Sequence, residues 1–209
     1  DSTEVATPPR PVFTLQPKSG YLVNDNPVRI ECRAQPTSTI QIKCFGELVP
    51  IAEVEVLTTF DESSQQIQHV AYEVTKAAVH SHFGEYSCQC TALGQGNIEE
   101  NSRKAIIQVA YLRKYFTQEP RGITLEIKTS AELLCIPPLG NPSPDVYWEK
   151  DSQLVDLTSD NYIMRSEGHL IINHAVLENT GNYTCVAGNL AAKRKSNTAE
   201  VIVYGKYRP

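Results

Sequence analysis

An all-β chain of two immunoglobulin-like β-sandwiches in tandem is what this sequence predicts, on three observations. Its 209 residues exceed the ~100 of one such sandwich and suit two. Its six cysteines fall into two clusters, Cys32, Cys44, Cys88 and Cys90 in the first half and Cys135 and Cys185 in the second. Each half also carries a Tyr-x-Cys, Tyr86-Ser87-Cys88 and Tyr183-Thr184-Cys185. In such sandwiches this tyrosine turns its hydroxyl back onto the upstream backbone, while the cysteine crosses to the opposite sheet.

Taken in order, residues 1–11 are rich in Ser, Thr and Pro without periodicity, which predicts a poorly ordered tail. The first domain is expected over 12–111. Pro27 to Cys32 alternates Val28, Ile30 and Cys32 inward against Arg29 and Glu31 outward, the period of a half-buried strand. Ile40 to Cys44 repeats the pattern and sets Ile42 or Cys44 where such domains place a core tryptophan. Val54 to Leu57 and Val70 to Val74 read as strands either side of the polar turn Asp61 to Gln65, and Ala105 to Ala110 as the closing strand.

The second domain is expected over 112–205, with 206–209 as a terminal linker. Ala131 to Cys135, Val146 to Glu149, His169 to Ile172 and Asn182 to Ala187 read as its strands. Trp148, the only tryptophan, follows Cys135 by 13 residues, a spacing at which it packs on the disulfide. Asn141-Pro142-Ser143-Pro144 supplies a turn, since proline fixes φ and donates nothing to a ladder. Tyr111 to Phe116 holds no Gly, Pro or Ser, which predicts a short semi-rigid linker.

Composition narrows the function. Hydrophobic residues at 41% and charged residues at 21% are ordinary globular values and argue against disorder. Divided after Tyr111, the halves carry 8 basic against 13 acidic residues and 11 against 11, a balance that disfavours nucleic acid as partner. Paired cysteines at these separations imply an oxidising compartment, and no Cys-x2-Cys pair supports zinc. No apolar run of ~20 residues and no charged-then-apolar leader is present, so a processed extracellular piece is expected, its membrane anchor lying beyond Pro209. No catalytic motif appears; an enzyme is not expected, nor any cofactor or metal.

Several stretches together resemble one family. They are Ala110 to Lys114, Gln118-Glu119-Pro120, Asn182 to Ala187, Ala192 to Ser196, Val201 to Tyr204, and the Tyr-x-Cys-x-Cys of Tyr86 to Cys90 with Lys43-Cys44. From about Phe13 to Tyr204 the chain resembles the ectodomain of the netrin receptors of the uncoordinated-five (UNC-5) family, with Ser87 where vertebrate members are expected to carry tryptophan. The resemblance implies the first two immunoglobulin domains of a single-pass receptor on the extracellular face of the plasma membrane, binding secreted netrin in repulsive axon or cell guidance. It also implies the nested pairing of Cys32 with Cys90 and Cys44 with Cys88. The residues themselves leave open Cys32 with Cys88 and Cys44 with Cys90, because strand parity turns Cys88 and Cys90 to the same face. Glypican and leucine-rich-repeat proteins enter as partners of some relatives.

Three further features bear on function. Asn182-Tyr183-Thr184 is the only Asn-x-Ser/Thr sequon, a glycosylation acceptor. Lys193, Arg194 and Lys195 follow an expected hairpin at Gly188 to Ala191, and with Arg113 and Lys114 form a candidate basic stripe for heparan sulfate. The plainer explanation is that edge charges block unwanted strand pairing. His80 and His82 lie two apart, yet without a third ligand they read as a solvated turn, and His169 and His174 read as surface. Against the receptor stand a homophilic or heterophilic adhesion protein and the ectodomain of a growth-factor receptor kinase.

Overall fold

The computed structural model describes residues 7–206. It divides after Val109 into two compact units.

In the first unit the strands are β1 (Val12–Leu15), β2 (Gly20–Leu22), β3 (Val28–Gln35), β4 (Thr39–Cys44), β5 (Glu47–Leu48), β6 (Glu55–Phe60), β7 (Gln66–Val74), β8 (Tyr86–Leu93), β9 (Glu99–Asn101) and β10 (Ala105–Val109). One sheet runs β1-β3-β7-β6; the other runs β2-β10-β8-β4-β5, with β9 on β8. In β3 the alternation works as the sequence implied, burying Ile30, Cys32 and Ala34 beneath an outward row of Arg29, Glu31 and Arg33. From β8, Tyr86, Cys88, Cys90 and Ala92 meet them. Burial of this kind contributes about 25 cal/mol per Å² of apolar area.

The second unit contains β11 (Tyr111–Leu112), β12 (Ile123–Glu126), β13 (Ala131–Leu133), β14 (Gly140–Asn141), β15 (Asp145–Lys150), β16 (Gln153–Leu154), β17 (Tyr162–Met164), β18 (Leu170–Ile172), β19 (Gly181–Gly188) and β20 (Lys193–Tyr204). Sheet β12-β20-β19-β15-β16 faces sheet β13-β18-β17, and β11 pairs with β14. Trp148, Tyr183, Leu133, Leu170 and Ile172 fill the space between them. Trp148 lies opposite Cys185 across the β15-β19 ladder, and its indole N–H donates to the Gly168 carbonyl at 2.8 Å. That satisfies the one polar group the ring takes inside.

Four expectations change. Pro11 is buried and stands close beside Gly94, so the expected loose tail does not reach residue 11; residues 1–6 of that tail lie outside the described residues. Tyr111 and Leu112 pair within the second unit, so the start of that unit precedes the expected residue 112. The histidine pair sits on a short α1 (Lys76–His80) and its exit, where Thr75 caps the Ala78 N–H and lets a helical turn form. His169, expected at the surface, is half-buried, and its Nδ1 accepts the Cys135 N–H at 2.9 Å. Strand β13 ends at Leu133, and the imidazole takes over the backbone donor that the ladder leaves behind.

Candidate functional site

Three bridges set the scaffold. Cys32 joins Cys90 and Cys44 joins Cys88 in the first unit, and Cys135 joins Cys185 in the second. Cys32–Cys90 spans from β3 to β8 and so ties the two sheets together. Cys44–Cys88 links residues directly opposite on neighbouring strands of one sheet, with Cα atoms 4.1 Å apart against 6.6 Å for its neighbour. Adjacent strands are separated by less than stacked sheets, which accounts for the difference.

The basic residues gather around the start of β20. Asn189 builds the turn before it: its side-chain oxygen accepts the Ala191 and Ala192 N–H groups, and its Nδ2 donates to the carbonyls of Tyr111 and Pro142. One asparagine thereby fastens the turn, the β11 segment and the turn after β14 together. Beyond it, period-two alternation splits the basic triplet. Lys193 and Lys195 point to the outer face, Lys193 with its Nζ 5.7 Å from the centre of the Tyr147 ring and Lys195 with its Nζ 2.7 Å from Glu149 Oε2. The Glu149 hydrogen bond raises the Lys195 pKa and keeps it cationic, and the same contact spends its charge locally.

Arg194 has the opposite parity and is half-buried, its guanidinium reaching the Leu112 carbonyl at 3.5 Å. Its Nε has no hydrogen-bond partner among the described residues. Arg113 and Lys114 follow Leu112 and are exposed, with Lys114 Nζ 5.4 Å from the Tyr115 ring centre. Arg194 thus lies beside the segment that carries Arg113 and Lys114, while Lys193 and Lys195 share the outer face of β20, Lys195 paired with an acid. Tyr115, 77% exposed, and Tyr147 add aromatic faces the sequence reading did not select; the adjacency of Tyr115 to Lys114 was the available signal, whereas Tyr147 meets Lys193 only through the fold. Cations beside aromatic rings can hold a sulfated sugar by charge-assisted hydrogen bonds and stacking.

Asn182 is exposed near the start of β19, opposite Glu200. Its backbone is clamped by Asp151, whose Oδ1 accepts the Asn182 N–H and whose own N–H donates to the Asn182 carbonyl. The backbone is held while the amide faces out. Among the described residues no group of three or more His, Cys, Asp or Glu is arranged to hold a metal, and no helix is long and apolar enough to cross a membrane.

Comparison with known proteins identifies both units. Residues 5–107 match the netrin receptor unc-5 N-terminal domain, and residues 114–203 match the immunoglobulin I-set domain. Netrin receptor UNC5D of Rattus norvegicus and that of Mus musculus are each 38% identical over 208 residues, which is 98% of this chain and 22% of theirs. The chain therefore spans about a fifth of the length of these relatives. Among solved structures, immunoglobulin domains 1–4 of Sidekick-1 align with a TM-score of 0.50 and 22% identity, over 93% of this chain and 48% of that one. That likeness concerns the fold.

Proposed function

This chain belongs to the unc-5 family of netrin receptors, and we propose that it is the ligand-binding portion of a cell-surface receptor that takes up secreted netrin and signals repulsive axon or cell guidance. Loops and sheet edges on the stapled sandwiches supply the contacts, since such positions vary without disturbing the cores. A heparan sulfate chain is gripped at the basic end of the second unit and raises the effective concentration of netrin beside it. Asn182 carries an N-glycan.

One observation supports the sulfate reading above the rest: Arg194 reaches across to Leu112 and so brings β20 beside the exposed Arg113 and Lys114. Edge protection alone accounts for outward lysines on a strand; it does not account for a half-buried arginine turned toward a second basic segment.

The test is heparin affinity and netrin binding of the two-unit chain across a salt series. Arg113→Glu with Lys114→Glu should weaken heparin binding by roughly tenfold or more, the scale of a lost charge-assisted contact. Lys195→Glu should have a smaller effect, because Glu149 already occupies that ammonium. Equal losses from both, or none from either, would remove heparan sulfate from the proposal. Failure of the parent chain to bind netrin in low salt, with or without heparin, would remove the netrin reading.

A further inference from the structure

The first unit leaves one sheet edge without the protection such edges ordinarily carry. Strand β6 lies at the end of its sheet, pairing with β7 on one side only. All six of its residues are exposed, among them Val56 at 45%, Leu57 at 58% and Phe60 at 65%. Edge strands are normally blunted by shortness, lysine, proline or a bulge. Here the register with β7 runs unbroken from Glu55 opposite Ala71 to Phe60 opposite Gln66. The one charge, Glu55, is already held by Arg29 through two hydrogen bonds of 3.2 and 2.6 Å. Its counterpart in the second unit, β17, has three residues.

We propose that β6 pairs with β6 of a second copy of this chain, antiparallel about a two-fold axis at Leu57, joining two four-stranded sheets into one of eight. The side chains choose the occupant and the register. Opposed residues in an antiparallel pair point to the same face, so a two-fold axis must pass through a single residue. Centred on Leu57, it sets Leu57 against Leu57, Val56 against Thr58, Glu55 against Thr59 and Val54 against Phe60. Apolar and β-branched pairs of this kind stabilise a ladder, and no like charges meet along its extended length; Glu53, next in line to face Asp61, sits in the 3-10 turn Ile51–Glu53 that precedes the strand. Centred on Thr58, the axis would set Glu55 against Asp61, two carboxylates directly opposed, which is destabilising. The strand is thus self-complementary about Leu57 and self-repelling about Thr58, while an axis at Val56 pairs only Val54 to Thr58 before the 3-10 turn interrupts it.

Outside the new ladder, the outward face is already ordered. Arg29 is within 4 Å of Glu31, Glu55 and Glu73, which keeps the Glu55 side chain tied toward its own sheet. The chain's only sequon lies on β19 of the other unit, so a glycan there does not grow from this edge. The contact is small, which places the dimer in the weak and transient class. The inference is independent of netrin and of heparan sulfate.

Sedimentation equilibrium of the two-unit chain, from micromolar to millimolar concentration, should show reversible dimerisation. Leu57→Lys and Leu57→Glu, each at an exposed position, should separately weaken association on the order of a hundredfold, because the axis places identical charges face to face. Mixing the two variants should restore a dimer, since lysine then meets glutamate, and this recovery also shows that both chains are folded. A parent chain that stays monomeric overturns the proposal and leaves the edge to another partner. A Leu57→Lys chain that dimerises like the parent, or a mixture that does not recover, overturns it as well.

Discussion

The two units solve the same sandwich with different materials. At the turns that follow β4 and β15, both use two residues with positive φ: Phe45 and Gly46 between β4 and β5, and Asp151 and Ser152 between β15 and β16. Such turns match the twist of the flanking strands, and a bulky residue with positive φ is uncommon. Phe45 lays its ring 4.5 Å from that of His82 and 6.1 Å from that of Tyr86. Asp151 instead receives the Asn182 N–H. One unit turns its hairpin into packing, the other into hydrogen bonding.

The same division runs through the tyrosines. Tyr183 donates to the Asn179 carbonyl at 2.8 Å and meets the Tyr162 hydroxyl at 2.8 Å. The Asn179 side chain donates to Tyr162 and accepts from Val176 N–H and Asn161. Burial in this network pushes the Tyr183 hydroxyl far above the ordinary tyrosine pKa. Tyr86 joins the aromatic cluster with Phe45 and His82. Opposite the inter-sheet cysteine, Ile42 faces Cys90 where Trp148 faces Cys185, and two residues earlier Cys88 of the second disulfide stands where the other unit has Tyr183 and its knot of buried amides.

The largest effect expected from this contrast concerns the bridges. In the chain-entropy account a closed loop of 50 residues, the Cys135–Cys185 separation, is worth about 4 kcal/mol. With Cys32–Cys90 already closed, Cys44 and Cys88 are joined through a path of (44 − 32) + (90 − 88) = 14 residues, worth about 3 kcal/mol. Removing Cys135 and Cys185 together should therefore unfold the second unit at 37 °C. Removing Cys44 and Cys88 should leave the first unit folded but less stable. Since Trp148 is the only tryptophan, its fluorescence reports the second unit alone, and calorimetry supplies the other transition. Equal loss in both units would break the comparison.

Next in size is the amide network. Asn179→Ala should cost the second unit about 2–3 kcal/mol, because it strands the Val176 N–H and the Asn161 side-chain oxygen without a partner. Tyr183→Phe removes one hydroxyl from the same knot and should cost about 1–2 kcal/mol. Denaturant titration followed at Trp148 reads both, and the first unit's transition should not move. An Asn179 variant as stable as the parent would mean that water replaces the amide.

How much of this was legible follows from where the residues sit. Both cores were readable, because β3, β8, β15 and β19 alternate between a buried and a wet face and Cys32, Cys90, Cys135 and Cys185 mark the crossings between sheets. Strand β6 was read short, as Val54 to Leu57, since an edge strand exposed at every position shows no burial period to follow. The polar knot gave no signal: Asn161, Asn173 and Asn179 look like surface residues until Tyr162 and Tyr183 arrive beside them. The basic triplet was visible as charge, yet only strand parity separates Arg194 from Lys193 and Lys195, and only the fold supplies Glu149. The four-cysteine cluster fixed which residues bond and left the choice of partners to the register of β4 on β8.

The smallest expected effect sharpens the contrast by acid. The Arg29 hydrogen bonds hold the Glu55 carboxyl below the usual carboxylate range. A pKa depressed on folding contributes stability above the unfolded value, and that contribution disappears as pH falls through the lowered folded value. The second unit has Asp156, lowered by its hydrogen bonds with Thr158, and Glu167, lowered by backbone and Ser166 hydrogen bonds, each within a single turn. Glu55 differs in tying β6 to β3, strands that do not pair with each other. Glu55→Gln should therefore lower the first unit's neutral-pH stability slightly, as befits an exposed pair, leave its stability in acid unchanged, and so flatten the acid limb by the same small amount. Asp156→Asn should leave the first unit's acid limb as steep as in the parent. An acid limb that Glu55→Gln does not alter would show that the sheet face holds β6 in place without this ion pair, and that the ladder with β7 alone fixes the edge.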